Sequence, residues 1–144
     1  MKRKVFIKAY NKGDGKKVKA QAEQQAEACQ YSDGFDKITA YTICDDKGQV
    51  LGVFGYDIDD EHRAYCYALF GDGIAPCLLF LVRFLQRKIK VSAKNLKVHY
   101  VYMTVQDKFL KAQKFARLLG FKKIRDLPQF YLKENYQLFE RICE

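Results

Sequence analysis

The sequence predicts an α+β fold of one domain, residues 1–144, with a mixed, mostly antiparallel sheet and helices on both faces. Three observations carry this. Residues 38–70 read as three successive strands with short polar connections, the pattern of an antiparallel meander. The apolar residues between Ile74 and Ile89 then recur at helical spacing, so a crossover helix follows and the next strand can lie parallel to the one ending at Phe70. Later, Lys108 to Phe121 sets Phe109, Ala112, Phe115, Ala116 and Leu119 on one helix side. That helix ends Leu119-Gly120-Phe121, where Gly120 can take the left-handed conformation and Phe121 packs back on the last turn.

In chain order, Val5 to Tyr10 alternates as a first strand and Asn11 to Gly15 is a loop. Lys16 to Tyr31 predicts a helix rich in alanine and glutamine, with Val18, Ala22, Ala26 and Cys29 toward the core. Ile38 to Cys44 and Val50 to Tyr56 are strands joined through Asp45-Asp46-Lys47-Gly48-Gln49, a hairpin loop. A turn over Asp57 to His62 leads into a strand from Arg63 to Phe70. Gly71-Asp72-Gly73 opens the helix Ile74 to Ile89, whose Leu78, Leu79, Leu81, Val82, Phe84 and Leu85 span more than half its circumference and predict heavy burial. Leu96 to Val105 is the next strand. After the glycine-stopped helix come a strand near Lys122 to Arg125, a turn around Pro128 and a last strand from Tyr136 to Arg141.

A chain of 144 residues, 49% of them hydrophobic, suffices for one core and is short for two. No apolar run reaches bilayer length, and Met1-Lys2-Arg3-Lys4-Val5-Phe6-Ile7 turns polar again at Lys8, so the protein is expected in the cytoplasm with no membrane partner. Cys29, Cys44, Cys66, Cys77 and Cys143 form no CxxC pair and have no nearby histidine, which predicts reduced thiols and no metal site. The net charge of +9 biases encounters toward anions, and an acidic protein is one partner it would suit. Because the positive clusters are spread along the chain, no specific nucleic-acid complex is expected. Any affinity for DNA or RNA should be weak, indifferent to sequence and steeply lost from low to physiological salt, as a salt titration of oligonucleotide binding would show.

The element order, with its glycine corner after the meander, resembles the GNAT superfamily of N-acetyltransferases over nearly the whole chain. In that family the acetyl-CoA pyrophosphate lies on backbone amides of a Gln/Arg-x-x-Gly-x-Gly/Ala corner. Phe70-Gly71-Asp72-Gly73-Ile74-Ala75 keeps Gly73 and Ala75, with Phe70 in place of the long polar residue. The resemblance therefore implies a cofactor cradle of Leu69, Phe70, Gly71, Asp72, Gly73, Ile74 and Ala75. Physically, a helix start offers unpaired N–H groups and a positive dipole end, and Pro76 suits a first helical turn. The plainer alternative is a strand-to-helix corner whose amides Asp72 itself caps. The family's following helix carries Asn-x-x-Ala-x-x-x-Tyr-x-x-x-Gly-Phe, whose tyrosine often protonates the leaving thiolate. Here Ala112 is kept, while Phe109 and Ala116 replace the asparagine and tyrosine. Lys114-Phe115-Ala116-Arg117-Leu118-Leu119-Gly120 and Tyr136-Gln137-Leu138-Phe139-Glu140 resemble the GNAT-like proteins of bacteriophages, which implies host cytoplasm or the virion as the place of action.

Acetyl transfer to an amine needs a route for the ammonium proton, donors on the thioester carbonyl and an acid for the thiolate. Tyr102, Thr104 and Gln106 share one strand face, so Tyr102 is the replacement acid and Gln106 its companion; the alternative for Tyr102 is a core aromatic with a satisfied hydroxyl. His99, on the other face, reads as structural. Asp57, Asp59, Asp60 and Glu61 form either a solvated turn or an attractor for a cationic amine. The functions that follow are an acetyl-CoA-dependent N-acetyltransferase of unassigned acceptor, or a catalytically silent phage-type relative that binds a partner or serves in the virion. A nucleic-acid module driven by charge is the third.

Overall fold

A computed structural model describes residues 4–19, 24, 32–131 and 133–143. Seven strands form a mixed sheet in the order β1-β2-β3-β4-β5-β7-β6. They are β1 (Val5–Ala9), β2 (Thr39–Asp45), β3 (Val50–Ile58), β4 (Arg63–Phe70), β5 (Tyr100–Gln106), β6 (Lys122–Tyr131) and β7 (Glu134–Ile142). Among the described residues the α-helices are α1 (Leu78–Leu96) and α2 (Leu110–Leu118), with 3₁₀ turns at Asp14–Lys17, Ser32–Lys37 and Asp72–Cys77. The chain divides into two units, Met1–Asp57 with Cys66–Leu79 and Ile58–Tyr65 with Phe80–Glu144, so β4 belongs partly to each.

In the first unit β1 pairs antiparallel with β2, and β2 with β3. The β2–β3 loop is tied by Asp45, whose Oδ1 accepts from the N–H groups of Lys47 at 3.0 Å and Gln49 at 2.9 Å. Val18, Phe35, Val53 and Leu69 form a core cluster. The predicted helix from Lys16 does not start there, because residues 14–17 close a 3₁₀ turn and Val18 is extended (φ −75°, ψ 126°). Val18 still reaches the core as expected; Ala22, Ala26 and Cys29 lie outside the described residues.

In the second unit β5 runs parallel to the start of β4, from Arg63↔Tyr100 to Tyr65↔Tyr102, and antiparallel to β7, which pairs antiparallel with β6. Met103 pairs with Phe139, so Val101, Val105 and Phe139 share the face on which α2 lies, with the Arg117 guanidinium 5.9 Å from the Phe139 ring. The α2 stop is as the sequence predicts: Gly120 has φ 90°, its N–H donates to Arg117 O at 3.0 Å, and the Phe121 N–H donates to Ala116 O at 3.0 Å. Ala112, Phe115, Ala116 and Leu119 turn inward as expected, joined by buried Gln113, while Phe109 caps the start.

Four further expectations are corrected. Helix α1 continues to Leu96, past Ile89, and its apolar breadth does not mean full burial: Leu81, Val82 and Leu85 are buried, while Leu79 is 66% and Phe80 49% exposed. Six apolar residues wrapped round more than half a helix cannot all meet one neighbour. Because α1 runs so far, β5 begins at Tyr100 instead of Leu96. Pro128 lies within β6, where the register to β7 shifts between Leu127 and Tyr131 and Gln129 has φ 47°. As β6 is an edge strand, a residue without an N–H is tolerated there.

Candidate functional site

The corner sits in the first unit, where the 3₁₀ turn Asp72–Cys77 passes directly into α1 at Leu78 (φ −60°, ψ −41°). Gly71 precedes it in extended conformation. The Gly71 N–H donates to Leu51 O of β3 at 2.8 Å, the Asp72 N–H to Lys19 O at 3.3 Å, and the Ile74 N–H to Gly71 O at 3.2 Å. A Cβ on Gly71 would stand 2.8 Å from Lys19 O, so the chain itself lies close over this glycine. Asp72 is exposed.

The side chains of the predicted cradle divide by burial. Leu69 and Ile74 are core residues, 4% and 3% exposed, and contribute only backbone. Phe70 lays its ring against Gly52, a Cβ on which would fall 2.8 Å from Phe70 Cδ1, so the residue that replaces the long polar side chain has a packing role. Gly73 is half-buried and Ala75 exposed.

Beside the corner, β4 offers a polar edge. Backbone groups of alternate residues point to opposite sides of a strand. Because the Gly71 N–H is directed to β3, Ala68 O and the Phe70 N–H point away from it. The Gln24 carboxamide meets both: its Nε2 donates to Ala68 O at 3.1 Å, and its Oε1 accepts from the Phe70 N–H at 3.4 Å.

The second unit holds Tyr102 and Gln106. Register aligns Tyr65, Tyr102, Glu140 and Lys122 in one row across four strands, on the face opposite Val101 and Val105. The rings of Tyr65 and Tyr102 stack with centroids 5.6 Å apart. Burial, then a hydrogen bond to the Glu140 carboxylate, pushes the Tyr102 hydroxyl above the usual tyrosine pKa. Its proton is therefore present at neutral pH and is donated to Glu140. Gln106 ends β5 opposite Tyr136, and its carbonyl accepts from the Phe109 N–H at 3.0 Å and from Gln113 Nε2 at 3.3 Å. Its backbone thus holds the start of α2.

Asp59 does more than solvate a turn. Its Oδ1 accepts from the N–H groups of Arg63 at 2.9 Å and Glu61 at 3.0 Å, and its Oδ2 from Arg63 Nε at 2.8 Å and the Tyr65 hydroxyl at 3.5 Å. The Arg63 N–H, the Arg63 guanidinium and the Glu61 N–H together outweigh desolvation and hold this carboxyl below the usual carboxylate range. Asp57, Asp60 and Glu61 are exposed, Glu61 lying 3.4 Å from Arg63 Nη2. His99 precedes β5, exposed, with Nδ1 3.4 Å from Cys143 O. Sequence reasoning missed Gln24, Glu140 and the Asp59–Arg63 pair. The four-residue spacing of that pair was a usable signal; a single glutamine in a glutamine-rich segment was not.

Among the described residues, Cys44, Cys66, Cys77 and Cys143 are in no disulfide. Among the described residues no group of three or more His, Cys, Asp or Glu is placed to hold a metal, and no helix is long and apolar enough to cross a membrane.

No protein-family model and no curated protein matches the sequence. Solved structures do match the fold. A GNAT-family acetyltransferase from Bacillus anthracis superposes with a TM-score of 0.72 at 10% identity, covering 96% of this chain and 94% of that one. A ribosomal-protein-S5-alanine acetyltransferase from Vibrio fischeri gives 0.73 at 12% identity, with 97% and 93% coverage. The fold is that of the GNAT acetyltransferases. A chimera of the spermidine N-acetyltransferase SpeG from Vibrio cholerae and hSSAT gives 0.71 at 16% identity, with 96% and 95% coverage. Those structures' names give ribosomal protein S5 and spermidine as what they act on, and a shared fold assigns neither to this chain.

Proposed function

We propose that the protein is an acetyl-CoA-dependent N-acetyltransferase acting on an amine acceptor. The observation that carries this reading is the β4 edge beside a glycine-flanked helix start: Ala68 O and the Phe70 N–H already bind an amide, that of Gln24, and acetyl-CoA carries amides in its arm and a pyrophosphate beyond them. The residues present therefore fit the cofactor. Backbone of Ala68 to Phe70 would take the arm; at the corner the Gly71, Asp72 and Ile74 N–H groups are bonded within the chain, so the pyrophosphate would face the positive dipole end of the helix start. When bound, acetyl-CoA supplies an activated acetyl thioester. Tyr102 is the proton donor in this reading, and Glu140 holds its hydroxyl until it is needed.

Acetyl-CoA should raise the melting temperature, because a ligand bound only to the native state stabilises by about 2.7 kcal/mol at a hundred times Kd. Gly73→Asp should abolish the shift by placing a carboxylate at the helix start. Titration calorimetry showing no heat at millimolar acetyl-CoA would sink the enzyme reading.

The second reading, a silent phage-type relative that works by binding a partner, draws on two observations. Ala116, at the position of the family's tyrosine, is 0% exposed, and the Tyr102 proton is committed to Glu140. An acidic protein is the partner such a relative would suit, given the charge of +9. Absence of acetyl-CoA binding would move this reading to first place.

A further inference from the structure

Three backbone groups on the side of the chain facing away from β3, Ala68 O, the Phe70 N–H and the Asp72 N–H, are bonded by the protein's own residues. Gln24 takes the first two at 3.1 and 3.4 Å, and the Lys19 carbonyl takes the third at 3.3 Å. A strand edge normally satisfies such groups with a neighbouring strand or with water. Here a half-buried side-chain amide supplies on one side the donor and the acceptor that two successive secondary amides of an extended ligand arm would offer. Its hydrogen bonds are neutral and one is long, so exchanging them for water costs little.

We propose that Gln24 is a built-in competitor for the cofactor: its carboxamide occupies the amide-binding edge of β4, and acetyl-CoA binds by displacing it. The proposal rests on the acetyltransferase reading above. An occupied edge lowers apparent affinity by the fraction of molecules in which the edge is open, so removing the occupant raises affinity without adding any contact. The effect is confined to ligands that carry amides.

The test compares wild type with Gln24→Ala by calorimetry, using acetyl-CoA, pantetheine and adenosine 3′,5′-bisphosphate, which has no amide. Acetyl-CoA and pantetheine should bind the variant about five- to tenfold more tightly. Adenosine 3′,5′-bisphosphate should bind both proteins equally. Amide hydrogen exchange at Phe70 should be roughly tenfold faster in the unliganded variant and slow again when acetyl-CoA is added. Equal or weaker acetyl-CoA binding by the variant overturns the proposal and leaves the acetyltransferase reading standing. So does a gain that extends to the bisphosphate. If neither protein binds acetyl-CoA, the acetyltransferase reading fails and the proposal falls with it.

Discussion

Phe139→Ala should cost about 3–5 kcal/mol, the range for removing a fully buried aromatic from a core. Phe139 is 0% exposed, sits opposite Met103 in the β5–β7 ladder, and carries the Arg117 guanidinium over its ring. Truncation deletes the ring that α2 rests on and leaves a cavity that a sheet fixed by hydrogen bonds on both sides cannot collapse to fill. At roughly 2–4 °C per kcal/mol for a chain of this size, the melting temperature should fall by about 10 °C. Phe115→Ala, on the facing helix at 8% exposure, should fall in the same range. Denaturant unfolding of both variants checks this through the midpoint at unchanged slope. Near-wild-type stability in either would mean that α2 does not depend on this face.

The parts of the fold that were legible in the sequence are those written in local chemistry. The meander was readable because Val50 to Tyr56 and Arg63 to Phe70 are bounded by Asp45-Asp46-Lys47-Gly48 and by the polar run from Asp57, and the structure puts β3 and β4 there. The end of α2 was readable because Gly120 announces the left-handed turn. The end of α1 was not, since the same motif is built there on Lys97, with φ 57° and the Val98 N–H donating to Ala93 O at 2.8 Å. A lysine in that conformation gives no warning. Of the candidate site, the helix start at Gly71-Asp72-Gly73 could be placed from composition alone, as could the shared face of Tyr102 and Gln106. What occupies the amides could not be, because Lys19, Gln24 and Leu51 reach the corner from distant parts of the chain. Glu140 beside Tyr102 likewise follows only from the β5–β7 register.

Asp14→Ala should cost about 3 kcal/mol at neutral pH, and the cost should shrink in acid. Asp14 is 1% exposed. Its Oδ2 accepts from the Thr42 hydroxyl at 2.7 Å and the Asn11 N–H at 3.1 Å, and Lys17 Nζ stands 3.4 Å from Oδ1. Burial alone would raise the pKa of this carboxyl. The Thr42 hydroxyl, the Asn11 N–H and the Lys17 ammonium outweigh burial and hold it below the usual carboxylate range. A carboxyl whose folded pKa lies below its unfolded value of about 3.9 contributes stability above that value and loses it as pH falls through the folded pKa. Wild type should therefore lose part of its advantage over the variant as pH falls below about 4, with the two unfolding curves drawing closer. Thr42, itself 0% exposed, is left without its acceptor in the variant, so a part of the cost independent of pH should remain. Urea unfolding of both proteins from pH 7 down to about pH 2.5 measures the gap directly. A gap that stays constant through the acid range would show that Asp14 acts only through its shape and its hydrogen bond to Thr42, with no contribution from its charge.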